Sequence, residues 1–125
     1  MELGAFSVSL TVKDIHASLA FYQNLGFEAV SPCDDPSAGW LMLRNGHVTI
    51  GLFQGMFDKN MLTFNPGWTP DGKNVEGPFT DVREIQERLE KAGVALQTKV
   101  EGAEGPGSFV VVDPDGIPIL VDQHR

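Results

Sequence analysis

At 125 residues with 42% hydrophobic side chains, the chain has the length of one domain (1–125) and enough apolar material to fill a core. A net charge of −8 argues against nucleic acid, which calls for Lys and Arg on one face, and no run approaches the roughly 18 apolar residues of a membrane helix. The opening MELGAFSVSL has neither a basic segment nor a signal-type apolar block, so the expected location is the cytoplasm.

Ala5–Val12 alternates, with Phe6, Val8, Leu10 and Val12 on one side and Ser7, Ser9 and Thr11 on the other. That period predicts a half-buried strand whose small polar side suits a cavity wall. Asp14 is a good helix N-cap. Ile15, Leu19, Tyr22 and Leu25 then recur at helical spacing, and Gly26 can take the left-handed conformation that ends a helix. Residues 27–30 read as a short strand and 31–39, with two prolines, as a loop holding the lone Cys33, an unreactive surface thiol. Segments 40–44 and 47–53 flank Asn45-Gly46, a strong hairpin signal. In the second of them His47, Thr49, Gly51 and Phe53 share one face.

The same unit is then written again. Asp14 recurs as Asp81 and Gly26 as Gly93, at a common offset, and Asp115-Gly116 repeats the turn of Asn45-Gly46. A fixed internal offset is the mark of a duplicated supersecondary unit. The second helix carries Val82, Ile85, Leu89 and Ala92 as its buried stripe, and Arg83–Glu87, Glu84–Arg88 and Glu87–Lys91 as exposed pairs. Strands follow at 94–99, 108–112 and 117–121. The fifth strand has two candidate places. The common offset favours 74–79, while β-branched and aromatic content favours 61–65, and Pro78 weakens the former. The fold class is therefore α+β, two tandem βαβββ units (about 5–53 and 61–122) whose curved mixed sheets enclose a cleft, with the helices outside.

The pattern Leu10-x-Val12-x-Asp14, Phe21-Tyr22, Leu25-Gly26-Phe27, then Asp113-Pro114-Asp115-Gly116-x-Pro118-Ile119, resembles the vicinal oxygen chelate superfamily, the glyoxalase, bleomycin-resistance and extradiol-dioxygenase group. The resemblance covers nearly the whole chain. It implies a divalent metal held by His or Gln on the first strand of each unit and Glu on the fourth. In this chain those positions fall on Ser7, on Gly51, on Asn74 (or Thr63 or Asn65), and on Leu120, none of which is a His or a Glu. The three histidines, His16, His47 and His124, are read as first-turn, rim and terminal residues, with no two at a ligand spacing.

Two readings follow from the resemblance. One is a metal-free small-molecule binding protein of the bleomycin-resistance type. It would hold an organic, cationic or aromatic ligand against Ser7, Ser9, Trp40, Thr49, Gly51, Phe53, Asn65, Trp68, Leu120 and Asp122. Phe64 and Phe109 are further candidate walls, while Phe6, Phe21 and Phe27 are assigned to the core. The other is a glyoxalase-like lyase or isomerase, or a dioxygenase, with a non-standard metal site or acid–base work by Asp122 with Thr49 or Asn65. The resemblance also implies a homodimer. No serine sits with a His on one strand face, and Gly102 and Gly105-Pro106-Gly107 are loop glycines rather than a phosphate loop, since no helix or Lys-Ser/Thr follows.

Overall fold

The computed structural model describes all 125 residues. The chain forms eight strands and two α-helices, and it divides into two compact units. The first unit is Ser7–Met61, and the second is Leu62–Arg125 together with Met1–Phe6. No helix is long and apolar enough to cross a membrane.

In the first unit the elements are β1 (Ala5–Val12), α1 (Ile15–Asn24), β2 (Glu28–Val30), β3 (Trp40–Asn45) and β4 (Val48–Gln54). The strand order is β2-β3-β4-β1, with β1 parallel to β4 and the other pairs antiparallel. The second unit repeats the plan with β5 (Met61–Asn65), α2 (Val82–Lys91), β6 (Leu96–Thr98), β7 (Gly107–Val112) and β8 (Pro118–Gln123). Here β5 runs parallel to β8, and β6-β7-β8 are antiparallel neighbours. Both units thus have the expected βαβββ order. The fifth strand lies at Met61–Asn65, the earlier of the two places, and a long irregular segment holding Pro66, Pro70 and Pro78 separates it from α2.

Each helix packs on one face of its own sheet. Under α1 the core is Ile15, Leu41, Leu43, Ile50 and Leu52, with Val8, Leu10, Leu19, Tyr22 and Phe27 against it. Under α2 it is Val82, Ile85, Phe109, Val111 and Val121, with Leu3, Leu89 and Ile119. Burial of these large aliphatic and aromatic side chains is the main stabilising term in each half.

Both helices start and stop by one device. The Asp14 carboxylate accepts from His16 N (3.0 Å), and Asp81 from Arg83 N (2.9 Å). A second acceptor comes from the end of the last strand. Gln54 Oε1 takes Ile15 N–H at 2.8 Å, and Gln123 Oε1 takes Val82 N–H at 2.7 Å. First-turn amides have no partner within the helix, so these side chains supply what the helix lacks. At the other end Gly26 and Gly93 take positive φ (92° and 82°), which lets Phe27 N reach Tyr22 O and Val94 N reach Leu89 O.

Several expectations need correction. The first hairpin turns at Gly46-His47, because Asn45 is the last residue of β3, opposite Val48. Only Gly46 has positive φ (58°), at the first position of the turn, and the Asn45 side chain instead donates to Leu25 O at the end of α1 (3.0 Å). Leu25 leaves the buried stripe, 58% exposed, since it sits at the cap beyond the last helical residue. Ala92 is likewise exposed beyond the end of α2. Phe6 and Phe21 are not core residues, at 46% and 59% exposure, whereas Phe109 is fully buried and cannot line a binding wall. Arg83 turns from Glu87 to Asp81 (3.1 Å) and to the carbonyls of Gly102 and Gly105, while Glu87 pairs with Lys91 alone. Cys33 is half-buried, its Sγ 3.2 Å from Trp40 O.

Candidate functional site

The face of the first sheet away from α1 is built by strand alternation. The β3–β4 pairing sets Trp40 opposite Phe53, Met42 opposite Gly51 and Arg44 opposite Thr49. The parallel β1–β4 pairing sets Ser9 beside Gly51 and Thr11 beside Phe53. Six sequence-predicted residues (Ser7, Ser9, Trp40, Thr49, Gly51 and Phe53) therefore share one face. Ser7 and Ser9 are buried at 4% exposure, whereas Trp40, Met42, Arg44, Thr49 and Phe53 are half-buried on that face.

Trp40 and Phe53 stack at 5.9 Å with planes 8° apart, and Phe57 leans on Phe53 at 5.2 Å. Phe53 also folds back along its own strand. A Cβ added to Gly51 would lie 2.6 Å from Phe53 Cε2 and 3.4 Å from Met42 Sδ. The space a side chain at position 51 would need is thus taken by an aromatic ring and a thioether. Thr49 is engaged at the sheet edge, where its hydroxyl accepts from Arg44 Nε at 3.3 Å.

In the second unit the face away from α2 holds Thr63 and Asn65 on β5, Leu120 and Asp122 on β8, and Ser108 and Val110 on β7. The Asn65 amide donates to Asp122 O at 3.0 Å, leaving the Asp122 carboxylate for His124, whose Nε2 lies 3.1 Å from Oδ2. Trp68 stacks on the His124 ring, 4.5 Å between centroids and 7° between planes. The hydrogen bond to Asp122 raises the His124 pKa above its ordinary value; burial opposes this and the Asp122 charge adds to it. His124 and Met42 were not among the predicted site residues. The alternation that put Trp40 on this face also marks Met42, and His124 stands two residues beyond Asp122 on an extended strand end.

The parallel registers align the two units internally, since Ser9 pairs with Gly51 and Thr63 with Leu120. Two residues before Ser9 and Thr63 stand Ser7 and Met61. None of these side chains is an imidazole or a carboxylate, and no group of three or more His, Cys, Asp or Glu is gathered elsewhere. Zinc and related ions ask for such donors in convergence. The residues at the family's ligand positions do not fit a metal centre.

The arrangement has known counterparts. The family model of the Glyoxalase/Bleomycin resistance protein/Dioxygenase superfamily matches residues 4–121. Among solved structures, a NAD-dependent benzaldehyde dehydrogenase from Legionella pneumophila superposes with a TM-score of 0.68 at 17% identity, over 96% of this chain and 99% of its own. A glyoxalase/bleomycin resistance protein/dioxygenase superfamily member from Vibrio splendidus 12B01 gives 0.66 at 20%, over 94% and 97%. The Mn(II)-bound glyoxalase from Novosphingobium aromaticivorans gives 0.53 at 19%, over 95% of this chain and 37% of that one. Likeness at these identities speaks for the fold alone. No curated protein sequence matches significantly. The family match spans nearly all of the chain, from β1 to the core of β8, and on it the protein belongs to the Glyoxalase/Bleomycin resistance protein/Dioxygenase superfamily.

Proposed function

We propose that the chain binds a small organic molecule on the sheet face that carries Trp40 and Phe53, and that it does so without a resident metal ion. The observation that carries this reading is the Phe53 ring lying over Gly51. Where a metal-dependent relative would be expected to hold a carboxylate, this chain holds an apolar surface. A stacked Trp–Phe pair with a neighbouring thioether is a wall for planar or alkylammonium groups, through stacking and cation–π contact. The net charge of −8 raises the local concentration of cations over anions. The equivalent face of the second unit carries Asn65, Leu120 and Asp122, but there the carboxylate is paired with His124 and the Trp68 ring is stacked on the same imidazole.

The test is intrinsic fluorescence of the two tryptophans during titration with planar aromatic amines and quaternary ammonium compounds. Saturable quenching is expected, weakened about tenfold or more by Trp40→Ala or Phe53→Ala, the scale of losing one aromatic anchor. Saturable binding that neither substitution alters would place the ligand elsewhere, and no binding across the series would remove the reading.

A second reading, a glyoxalase-like lyase or isomerase or a dioxygenase with a non-standard site, draws on the Asp122–His124 pair, which sets a carboxylate beside an imidazole. It would show as metal-dependent turnover abolished by Asp122→Ala.

A further inference from the structure

The arginines of the chain are Arg44, Arg83, Arg88 and Arg125. Arg83 gives Nη1 to Asp81 and to Gly105 O, Arg88 gives Nη2 to Glu84, and Arg125 gives Nη1 to Gly67 O and Val75 O. Arg44 alone spends neither terminal nitrogen on the protein. Its Nε donates to the Thr49 hydroxyl at 3.3 Å, which orients the guanidinium on the sheet and leaves both Nη groups open to solvent. Glu28, its cross-strand neighbour on β2, is exposed and makes no ion pair with it. The strands β1, β3 and β4 contain no other Lys, Arg, Asp or Glu. A half-buried arginine is thus the one formal charge on the three strands that form the Trp40–Phe53 face.

The pleat sets its distance from the aromatic surface. Trp40, Met42 and Arg44 follow one another along β3 on that face, opposite Phe53, Gly51 and Thr49. Alternate residues of a strand are about 7 Å apart. The Phe53 ring lies over Gly51, at the level of Met42, so it stands one such step from the level of Arg44. A stacking surface and an unpaired guanidinium are therefore spaced by about the reach of one substituted aromatic ring.

We propose that Arg44 receives a carboxylate of the bound molecule, so that the ligand is a planar aromatic amine that also carries an acid group. This inference rests on the proposed binding at Trp40 and Phe53 and adds the part of the ligand that lies beyond them. The ammonium and ring lie against Trp40 and Phe53, and the carboxylate takes the two Nη groups. A guanidinium presents paired N–H donors in a plane, which matches the two oxygens of a carboxylate. The net charge of −8 selects among anions as well. A zwitterion carries no net charge and is not repelled by that field, whereas a phosphate dianion is. Arg44 is in this sense a specificity-determining residue: it separates amino acids and amino-aryl acids from simple amines.

The experiment is calorimetric titration of the full chain with two matched pairs, benzylamine with 4-(aminomethyl)benzoate and tryptamine with tryptophan. Within each pair the members differ by the carboxylate. The native chain is expected to bind the acid-bearing member about tenfold or more tighter, the scale of a hydrogen-bonded contact between charged groups. Arg44→Gln should erase that preference and leave the affinity for benzylamine and tryptamine unchanged, with circular dichroism and thermal melting as the check on the fold. Should Arg44→Gln fail to fold, Arg44→Lys carries the comparison; it keeps the charge, loses the planar fork, and is expected to lose most of the preference. Equal or weaker binding of the acid-bearing members by the native chain overturns the inference and leaves the aromatic site standing. So does a preference that survives Arg44→Gln in a folded protein. No binding of any of the four compounds removes the aromatic site and the inference together.

Discussion

The ring of Phe53 occupies the place of a side chain at Gly51. A Cβ at residue 51 would stand 2.6 Å from Phe53 Cε2 and 3.2 Å from Cζ, closer than carbon atoms pack. Gly51 sits mid-strand, opposite Met42 and beside Ser9, so the strand accepts an otherwise unfavourable glycine in exchange for an aromatic surface. Gly51→Ala is therefore expected to lower stability by about 1–2 kcal/mol through overpacking. In a Phe53→Ala background the same change should be close to neutral or favourable. Urea denaturation of the four members of this cycle checks it, and additive effects would mean that the ring moves away freely.

The two glutamines that cap the helices are not equal. Gln123 is 2% exposed; its Oε1 accepts from Val82 N, and its Nε2, with two hydrogens to donate, lies within hydrogen-bond distance of Asp81 Oδ2 (3.1 Å), Gly105 O (3.0 Å) and Arg125 O (2.9 Å). Gln54 is exposed and supplies one bond, to Ile15 N. Gln123→Ala should destabilise by about 2–3 kcal/mol, because it leaves buried groups without partners, and Gln54→Ala by less than about 1 kcal/mol. Chemical denaturation of the two variants side by side measures the difference.

Asp81 is the acidic end of the same network. Burial pushes its carboxyl up, but the bonds from Arg83 N–H, the Gln123 amide and the Arg83 guanidinium outweigh this and hold it below the usual carboxylate range. A depressed folded-state pKa contributes stability that is present above the unfolded value near 3.8 and is lost as pH falls through the folded one. The acid limb of the stability profile should therefore flatten in Asp81→Asn, which keeps an N-cap acceptor. Melting temperatures between neutral pH and pH 2 read this out.

His124 behaves in the opposite sense. Its pKa is raised, chiefly by the hydrogen bond to Asp122, so its contribution is fully present below the unfolded value of 6.5 and disappears as pH rises through the folded value. Proton titration by NMR should place His124 above an ordinary histidine and return it towards that value in Asp122→Asn. Since Trp68 stacks on the imidazole, its fluorescence should change over the same pH interval.

Much of the architecture is written in local pattern. Asp14 and Asp81, Gly26 and Gly93, and the alternation in Ala5–Val12 mark both helices, their ends and the first strand, because caps and periods are properties of neighbouring residues. The fifth strand was ambiguous because residues 66–80 lengthen one loop and break the common offset between β5 and α2. Phe21 and Phe109 exchanged their expected places for a different reason. Aromatic identity does not say which strand or helix face meets the core, and only the register of β7 on β8, with Phe109 opposite Val121, puts that ring inside. The glutamine caps act over separations of 39 and 41 residues, so neither leaves a local trace. Of the site, the strand alternation identified Thr49, Gly51 and Phe53 as sharing a face, but the folding back of Phe53 over Gly51 depends on a rotamer that no sequence pattern records.

The central claim, an aromatic surface standing where a metal centre would otherwise be built, is tested most directly by metal content. The purified chain is analysed by inductively coupled plasma mass spectrometry, then titrated calorimetrically with Zn²⁺, Mn²⁺, Ni²⁺ and Fe²⁺. The account predicts metal at background levels and no saturable one-to-one heat with any of the four ions. Stoichiometric metal in the isolated protein, or a tight one-to-one isotherm that Gly51→Ala leaves intact and Asp122→Ala abolishes, would contradict it and turn attention to the Asp122–His124 pair as part of a different centre.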